Sequence, residues 1–175
     1  MECMKMINSA TKIFDGIYVY KNFYPDIDEL EDLLENNDNW NSHGNYNPGD
    51  HPDEFWNGKL STDFIDKKFH EYIINLIAPE YWILSHSNFM KLTPEDTCPV
   101  YNNDISEEFK YILAYYVGDF TGGKITFLDS DISYQPERND LLVFKPTSFD
   151  ISAVISGTRY SYLDYMIKHP GYIMV

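Results

Sequence analysis

Apolar residues in the first part of the chain recur at helical spacing, and beyond residue 80 they gather into short aromatic and β-branched runs cut by turn residues. In 13–23, IFDGIYVYKNF, the run Ile17 to Tyr20 predicts an opening strand. In 25–37, PDIDELEDLLENN, the residues Ile27, Leu30, Leu33 and Leu34 share one helical face while acids fill the other. Asp26 stands as the N-cap, with Glu29 three residues on to complete a capping box. A second helix is predicted from about Thr62 to Ala78, with Ile65, Phe69, Ile73 and Leu76 as its apolar stripe and Pro79 as its stop. Between the helices, residues 36–58 carry seven Asn, three Gly and two Pro, which predicts a long loop anchored by Trp40, Tyr46, Phe55 and Trp56.

From Tyr81 onward the segments YWILSHSNFMKL, KYILAYYV, KITFL, LLVFK, ISAVI and RYSYLDYMI are separated by Pro, Gly, Asn and Asp clusters at short intervals. That spacing belongs to a sandwich or barrel. Two helices ahead of a run of antiparallel strands make an α+β fold with a barrel-like core. Gly122-Gly123 reads as one hairpin turn and Pro136 to Asp140 as another, with Asn139 left-handed and Leu141 to Phe144 a buried strand. A length of 175 residues suits a single domain, with a helical part over about 1–80 and a β core over about 81–167.

Charge narrows the partners. Thirteen Lys plus Arg stand against 28 Asp plus Glu, a net −15, which argues against nucleic acid and anionic membrane and leaves a protein partner. Apolar runs such as Tyr111 to Val117 are too short to span a bilayer, and the amino terminus has no cleavable leader pattern, so a soluble, intracellular protein is expected. Two cysteines, Cys3 and Cys98, make neither a disulfide framework nor a zinc cluster. Aromatic residues make up 17% of the chain, which favours sheet.

The chain has two arginines, and one of them, Arg159, opens the last predicted strand, where a rigid fork of donors suits a carboxylate. From Tyr115-Tyr116 through Thr121-Gly122-Gly123 and Leu141 to Phe144, on to Gly157-Thr158-Arg159-Tyr160, the sequence resembles the prolyl-4-hydroxylase-like branch of the 2-oxoglutarate and Fe(II)-dependent dioxygenases. The resemblance runs from the opening strand to about Met166. It implies a double-stranded β-helix, a cupin-like jelly roll, with the two N-terminal helices buttressing one sheet. It also implies that Arg159 stands where the family binds the distal carboxylate of 2-oxoglutarate.

The resemblance breaks at the metal ligands. The family places a His-x-Asp pair after a turn like KLTPEDTCPV and a second His ten residues before the basic residue, all on one iron. These positions fall here on Tyr101, Asn103 and Phe149; a shift of one residue offers Asn102 and Asp104 instead. Phenylalanine has no donor atom and asparagine only a neutral oxygen, so no Fe(II), no 2-oxoglutarate and no other cofactor is expected. Asp104 and Asp150 each follow a lost ligand, but neighbouring strand residues face opposite ways. The one literal His-x-Asp, His51-Pro52-Asp53, lies in the Asn-rich loop, and His86 on the first barrel strand reads by default as a hydrogen-bonded core residue. His43, His70 and His169 suggest no site.

The leading expectation is therefore a catalytically inactive dioxygenase-like pseudoenzyme, a binding or structural module. One alternative is an active 2-oxoglutarate-dependent oxygenase or prolyl hydroxylase whose metal site is rearranged around His86, Asp104, Asp150 or the His51 loop. The other is a metal-free dicarboxylate binder using Arg159. The acidic, Asn- and Tyr-rich composition and the segment HPDEFWNGK resemble small oxygenase-like proteins of tailed phages, which implies a place in a virion or an infected host cytoplasm.

Overall fold

The computed structural model describes residues 10–42, 59–61, 67–76, 81–83, 89–96, 100–101 and 109–168. The chain opens with β1 (Thr11–Phe14), β2 (Ile17–Tyr20), α1 (Ile27–Glu35), β3 (Trp40–Ser42), β4 (Lys59–Ser61) and α2 (Lys67–Leu76). The later strands are β5 (Tyr81–Ile83), β6 (Phe89–Leu92), β7 (Val100–Tyr101), β8 (Phe109–Val117), β9 (Phe120–Gly122), β10 (Ile125–Phe127) and β11 (Ile132–Tyr134). They end with β12 (Leu141–Phe144), β13 (Phe149–Ile151), β14 (Val154–Gly157) and β15 (Arg159–Lys168). No helix among the described residues is long and apolar enough to cross a membrane.

A nine-stranded antiparallel sheet runs β1-β2-β12-β8-β15-β6-β4-β3, with β5 also on β15, and a four-stranded sheet runs β11-β10-β13-β7. From β6 on, the chain passes back and forth between these two sheets, with β9 and β14 forming a separate two-stranded pair, which makes the core a double-stranded β-helix. Strand alternation sorts the side chains into two layers. Leu113, Tyr115 and Val117 of β8, with Leu141 and Val143 of β12, join the helix-side cluster, while Ile112, Ala114, Tyr116, Leu142 and Phe144 join Ile125, Phe127, Phe149 and Ile151 between the sheets. Leu30 and Leu34 of α1 and Phe69 and Ile73 of α2 cover the helix side. Phe69 meets Tyr115 at 4.7 Å and Tyr162 at 5.4 Å between ring centroids. The two helices thus buttress one sheet, as expected.

Local expectations failed where distant partners intervene. Asp26 makes no side-chain cap bond; its carboxylate lies 3.1 Å from Lys68 of α2, and Glu29 lies 2.6 Å from the same amine, so an interhelix cation takes both halves of the expected capping box. Leu76 is 37% exposed and lies off the buried stripe. The Asn-rich stretch contains β3, which pairs with β4. The segment 81–92 yields two strands, β5 and β6, docked at opposite ends of β15. ISAVI is divided between β13 and β14, which lie in different sheets. Gly122 and Gly123, at φ +78° and +66°, make no hairpin: β9 pairs with β14, while β10 pairs with β11 and β13.

The turn at 136–140 fastens both layers. Asn139 is left-handed, at φ +68°, as the sequence suggested. Its buried side chain accepts from the Tyr24 amide and the Tyr115 hydroxyl, each at 2.8 Å, and donates to the Tyr24 carbonyl at 2.9 Å. Its backbone accepts from the Phe23 amide at 3.0 Å and donates to the Tyr116 carbonyl at 2.8 Å. Beside it, Lys21 lies 2.9 Å from both Glu137 and buried Asp140, and the Tyr134 hydroxyl donates to Asp140 at 2.7 Å.

Asn139→Ala is expected to cost about 2–4 kcal/mol in urea unfolding, since it leaves buried donors and acceptors unpaired. Asn139→Gly restores only the left-handed backbone, recovering about 1 kcal/mol. A second expectation concerns alkaline pH. Partial burial opposes the charge on Lys21, but its bonds to Glu137, Tyr134 and Asp140 outweigh this and raise its pKa, while burial chiefly pushes the Tyr134 phenol up to about 12. Both groups hold their protons more tightly folded than unfolded. Their contribution is therefore complete below pH 10, the ordinary tyrosine value, and is lost as pH rises toward 12. Unfolding free energies measured across that window should fall, and less steeply in Tyr134→Phe and Lys21→Met.

Candidate functional site

Alternation along β15 sends Arg159, Ser161 and Leu163 inward, and alternation along β13 sends Phe149 and Ile151 toward them. With Met90, Ala114, Tyr116, Ile125 and Tyr162 they line a cavity in which a water centre has about 10 Å³ to occupy, the room of one water. Arg159 is 1% exposed and Ser161 3%. The guanidinium donates from Nη1 to the Gly123 carbonyl at 3.2 Å, and its Cζ sits 4.8 Å from the centroid of the Tyr116 ring. Arg159 Nε and Ser161 Oγ have no hydrogen-bond partner, and no ion pair among the described residues joins Arg159 to a carboxylate. Burial pushes the Tyr116 phenol up, and the neighbouring Arg159 charge pulls it partly back.

Gly123 makes the approach possible. A Cβ there would stand 3.1 Å from both Cδ and Nη1 of Arg159, and the residue's positive φ is costly for any other side chain. The apolar wall is equally specific. Phe149 is 2% exposed and packs edge-on against Phe144 at 5.4 Å, which in turn meets Phe127 at 5.0 Å.

Phe149 and Arg159, ten residues apart, therefore share one cavity. The backbone of Tyr101 pairs directly with that of Phe149. Asp150 lies partly exposed between the inward-facing Phe149 and Ile151 and does not line the cavity, so it offers nothing there. Asn102, Asn103, Asp104, His43, His51, His86 and His169 lie outside the described residues, as do Cys3 and Cys98. His70 sits on α2, away from the cavity. Among the described residues no group of three or more His, Cys, Asp or Glu is placed to hold a metal. Ser161 was missed from the sequence; its signal was its place two residues after Arg159 on the same strand face.

The donor set can be tested against what such folds hold. Phe149 presents only hydrocarbon and does not fit a metal ligand. Arg159 Nε and Ser161 Oγ, two buried donors with nothing to receive them, fit a carboxylate.

No protein-family model matches the chain, and no curated protein matches it in sequence. Solved structures do. The viral collagen prolyl hydroxylase of Paramecium Bursaria Chlorella virus-1, solved in complex with 2-oxoglutarate, superposes with a TM-score of 0.56 at 13% identity, over 90% of this chain and 100% of that one. An oxidoreductase of the 2-oxoglutarate-Fe(II) oxygenase family from Burkholderia pseudomallei gives 0.59 at 11% identity, over 89% and 86%. The chain has the fold of the 2-oxoglutarate-Fe(II) oxygenases. This corrects the expectation of a cofactor-free protein: these two structures are of a prolyl hydroxylase holding 2-oxoglutarate and of a 2-oxoglutarate-Fe(II) oxygenase, and the comparison points toward cofactors.

Gly123→Ala tests the approach of glycine to arginine. It should lower stability by about 1–3 kcal/mol in urea unfolding, from left-handed strain and contact with Arg159. It should also move the side-chain Nε–H resonance of Arg159. An unmoved resonance would show that the guanidinium does not rest on Gly123.

Proposed function

We propose that the protein is a catalytically inactive oxygenase-fold domain that works by binding, and that its interior receives a small carboxylate on Arg159 and Ser161. The observation that carries this reading is the pair of buried, unpartnered donors lining one cavity. A guanidinium buried without a counter-ion is costly, and among the described residues it is met by the Gly123 carbonyl and the Tyr116 side chain, with no carboxylate. A bound carboxylate would complete it. Inactivity is supported by Phe149, which stands where the family resemblance expects a metal-binding histidine, with Tyr101 and Asn103 at the other two ligand positions. The acidic, Asn- and Tyr-rich composition and the segment HPDEFWNGK, which resemble small phage oxygenase-like proteins, suggest a module that docks on a protein partner in a phage virion or an infected cell.

Binding to these two groups alone should be weak. One charge-assisted pair and one hydroxyl contribute about 1–3 kcal/mol each, which corresponds to a dissociation constant on the order of millimolar. A second reading, a working oxygenase that gathers iron from other residues, draws on the likeness to the viral prolyl hydroxylase and the bacterial oxidoreductase.

One experiment separates the two. Protein incubated with Fe(II), ascorbate and 2-oxoglutarate is assayed for succinate, and carboxylate binding is followed by the thermal midpoint in the wild type and in Arg159→Met. The expected result is succinate at the protein-free background and a midpoint that carboxylates raise only when Arg159 is present. Protein-dependent succinate would establish the working oxygenase. Equal shifts in Arg159→Met would remove the carboxylate site.

A further inference from the structure

The carboxylate site proposed above has a polar end and an apolar end, and the difference between them restricts what it can hold. Arg159 and Ser161 supply open donors on one side. Of the other hydroxyls near them, Tyr162 is committed, donating to Asp164 at 2.9 Å. Tyr116 belongs to the same polar end, its ring against the guanidinium and its hydroxyl interacting with it, and the rest of the lining, Met90, Ala114, Ile125, Phe149, Ile151 and Leu163, has no donor on any side chain. Phe149, buried and packed against Phe144, gives its part of the wall only hydrocarbon. A second carboxylate on the ligand would thus lose its water and gain no partner. Free space points the same way, since the cavity has the room of one water.

From this geometry we infer that the cavity takes a short monocarboxylate with an apolar end, of formate to acetate size, in preference to a dicarboxylate. The inference rests on the carboxylate reading of Arg159 and Ser161. The carboxylate lies against Arg159 Nε and Ser161 Oγ, and the ligand's carbon lies against Phe149 and Ile151. Seating even the smallest of these acids in the room of one water requires the flexible Met90 to give way, and each further carbon requires Phe149 to move as well.

The test uses the full chain, labelled with nitrogen-15. With two arginines in the chain, the side-chain Nε–H resonance of Arg159 is identified by its loss in Arg159→Met. Formate, acetate, propionate, succinate and 2-oxoglutarate are titrated in turn at constant ionic strength, and dissociation constants are read from that resonance. Acetate is expected to bind at least about tenfold more tightly than succinate or 2-oxoglutarate, as a desolvated second charge requires. Succinate or 2-oxoglutarate binding as tightly as acetate would overturn the inference and leave the carboxylate site standing. A resonance that no carboxylate moves would overturn both. Phe149→Leu supplies the second check. It should improve propionate relative to acetate by about tenfold by opening the apolar end; an unchanged order would show that Phe149 is not the wall that sets ligand size, and the inference would fall.

Discussion

Antiparallel pairing of β8 with β15, running from Val117 against Tyr160 to Phe109 against Ile167, is the constraint on which the other layers depend. Over Ile112 to Val117 of β8 both faces are covered, so each residue there belongs either to the helix layer or to the barrel interior. A side chain cannot change layer without a slip of one residue, and a slip would exchange every neighbour with it. Tyr115 must meet Phe69, and Tyr116 must meet Arg159. The position of the guanidinium is thus decided by the hydrophobic residues around it.

That placement carries a penalty which the surrounding atoms only partly offset. Gly123 offers a carbonyl, Tyr116 offers the negative face of its ring, and no acid among the described residues approaches. Other cations in the chain are treated differently. Arg138 pairs with Asp28 and Glu31, Lys68 with Asp26 and Glu29, and Lys21 with Glu137 and Asp140, all at least partly in solvent. These pairs hold α1, α2 and the 136–140 turn together while contributing little each. The contrast with Arg159, a charge kept from its complement, is the strongest physical sign of a site.

Much of the core was legible because burial on two sides leaves a plain trace. Runs such as LLVF and ILAYYV read as strands without any knowledge of their partners, and Leu30, Leu34, Phe69 and Ile73 read as helix faces. What could not be read were outcomes decided by residues far off in sequence. Asp26 and Glu29 lost their capping role to Lys68, three-residue β3 exists through β4, and Gly122-Gly123 connects sheets because β10 finds β13. Asn139 was legible as a left-handed turn residue, but not as the group that ties Tyr24 to Tyr115. Ser161 was hidden for a different reason: serine is ordinary in a strand, and only an unsatisfied hydroxyl beside a cavity distinguishes it.

Gly123 touches Arg159 through both its missing side chain and its carbonyl oxygen. The two positions are therefore not independent under mutation. Any larger residue at 123 displaces the guanidinium, and any shorter residue at 159 leaves the carbonyl of 123 without its donor and a void beside it. Lysine would not repair the loss, because one ammonium cannot lie flat on the Tyr116 ring, reach the carbonyl and face the cavity together. A descendant of this chain that abandons the site is expected to change both residues, and one that keeps either under selection is expected to keep the other.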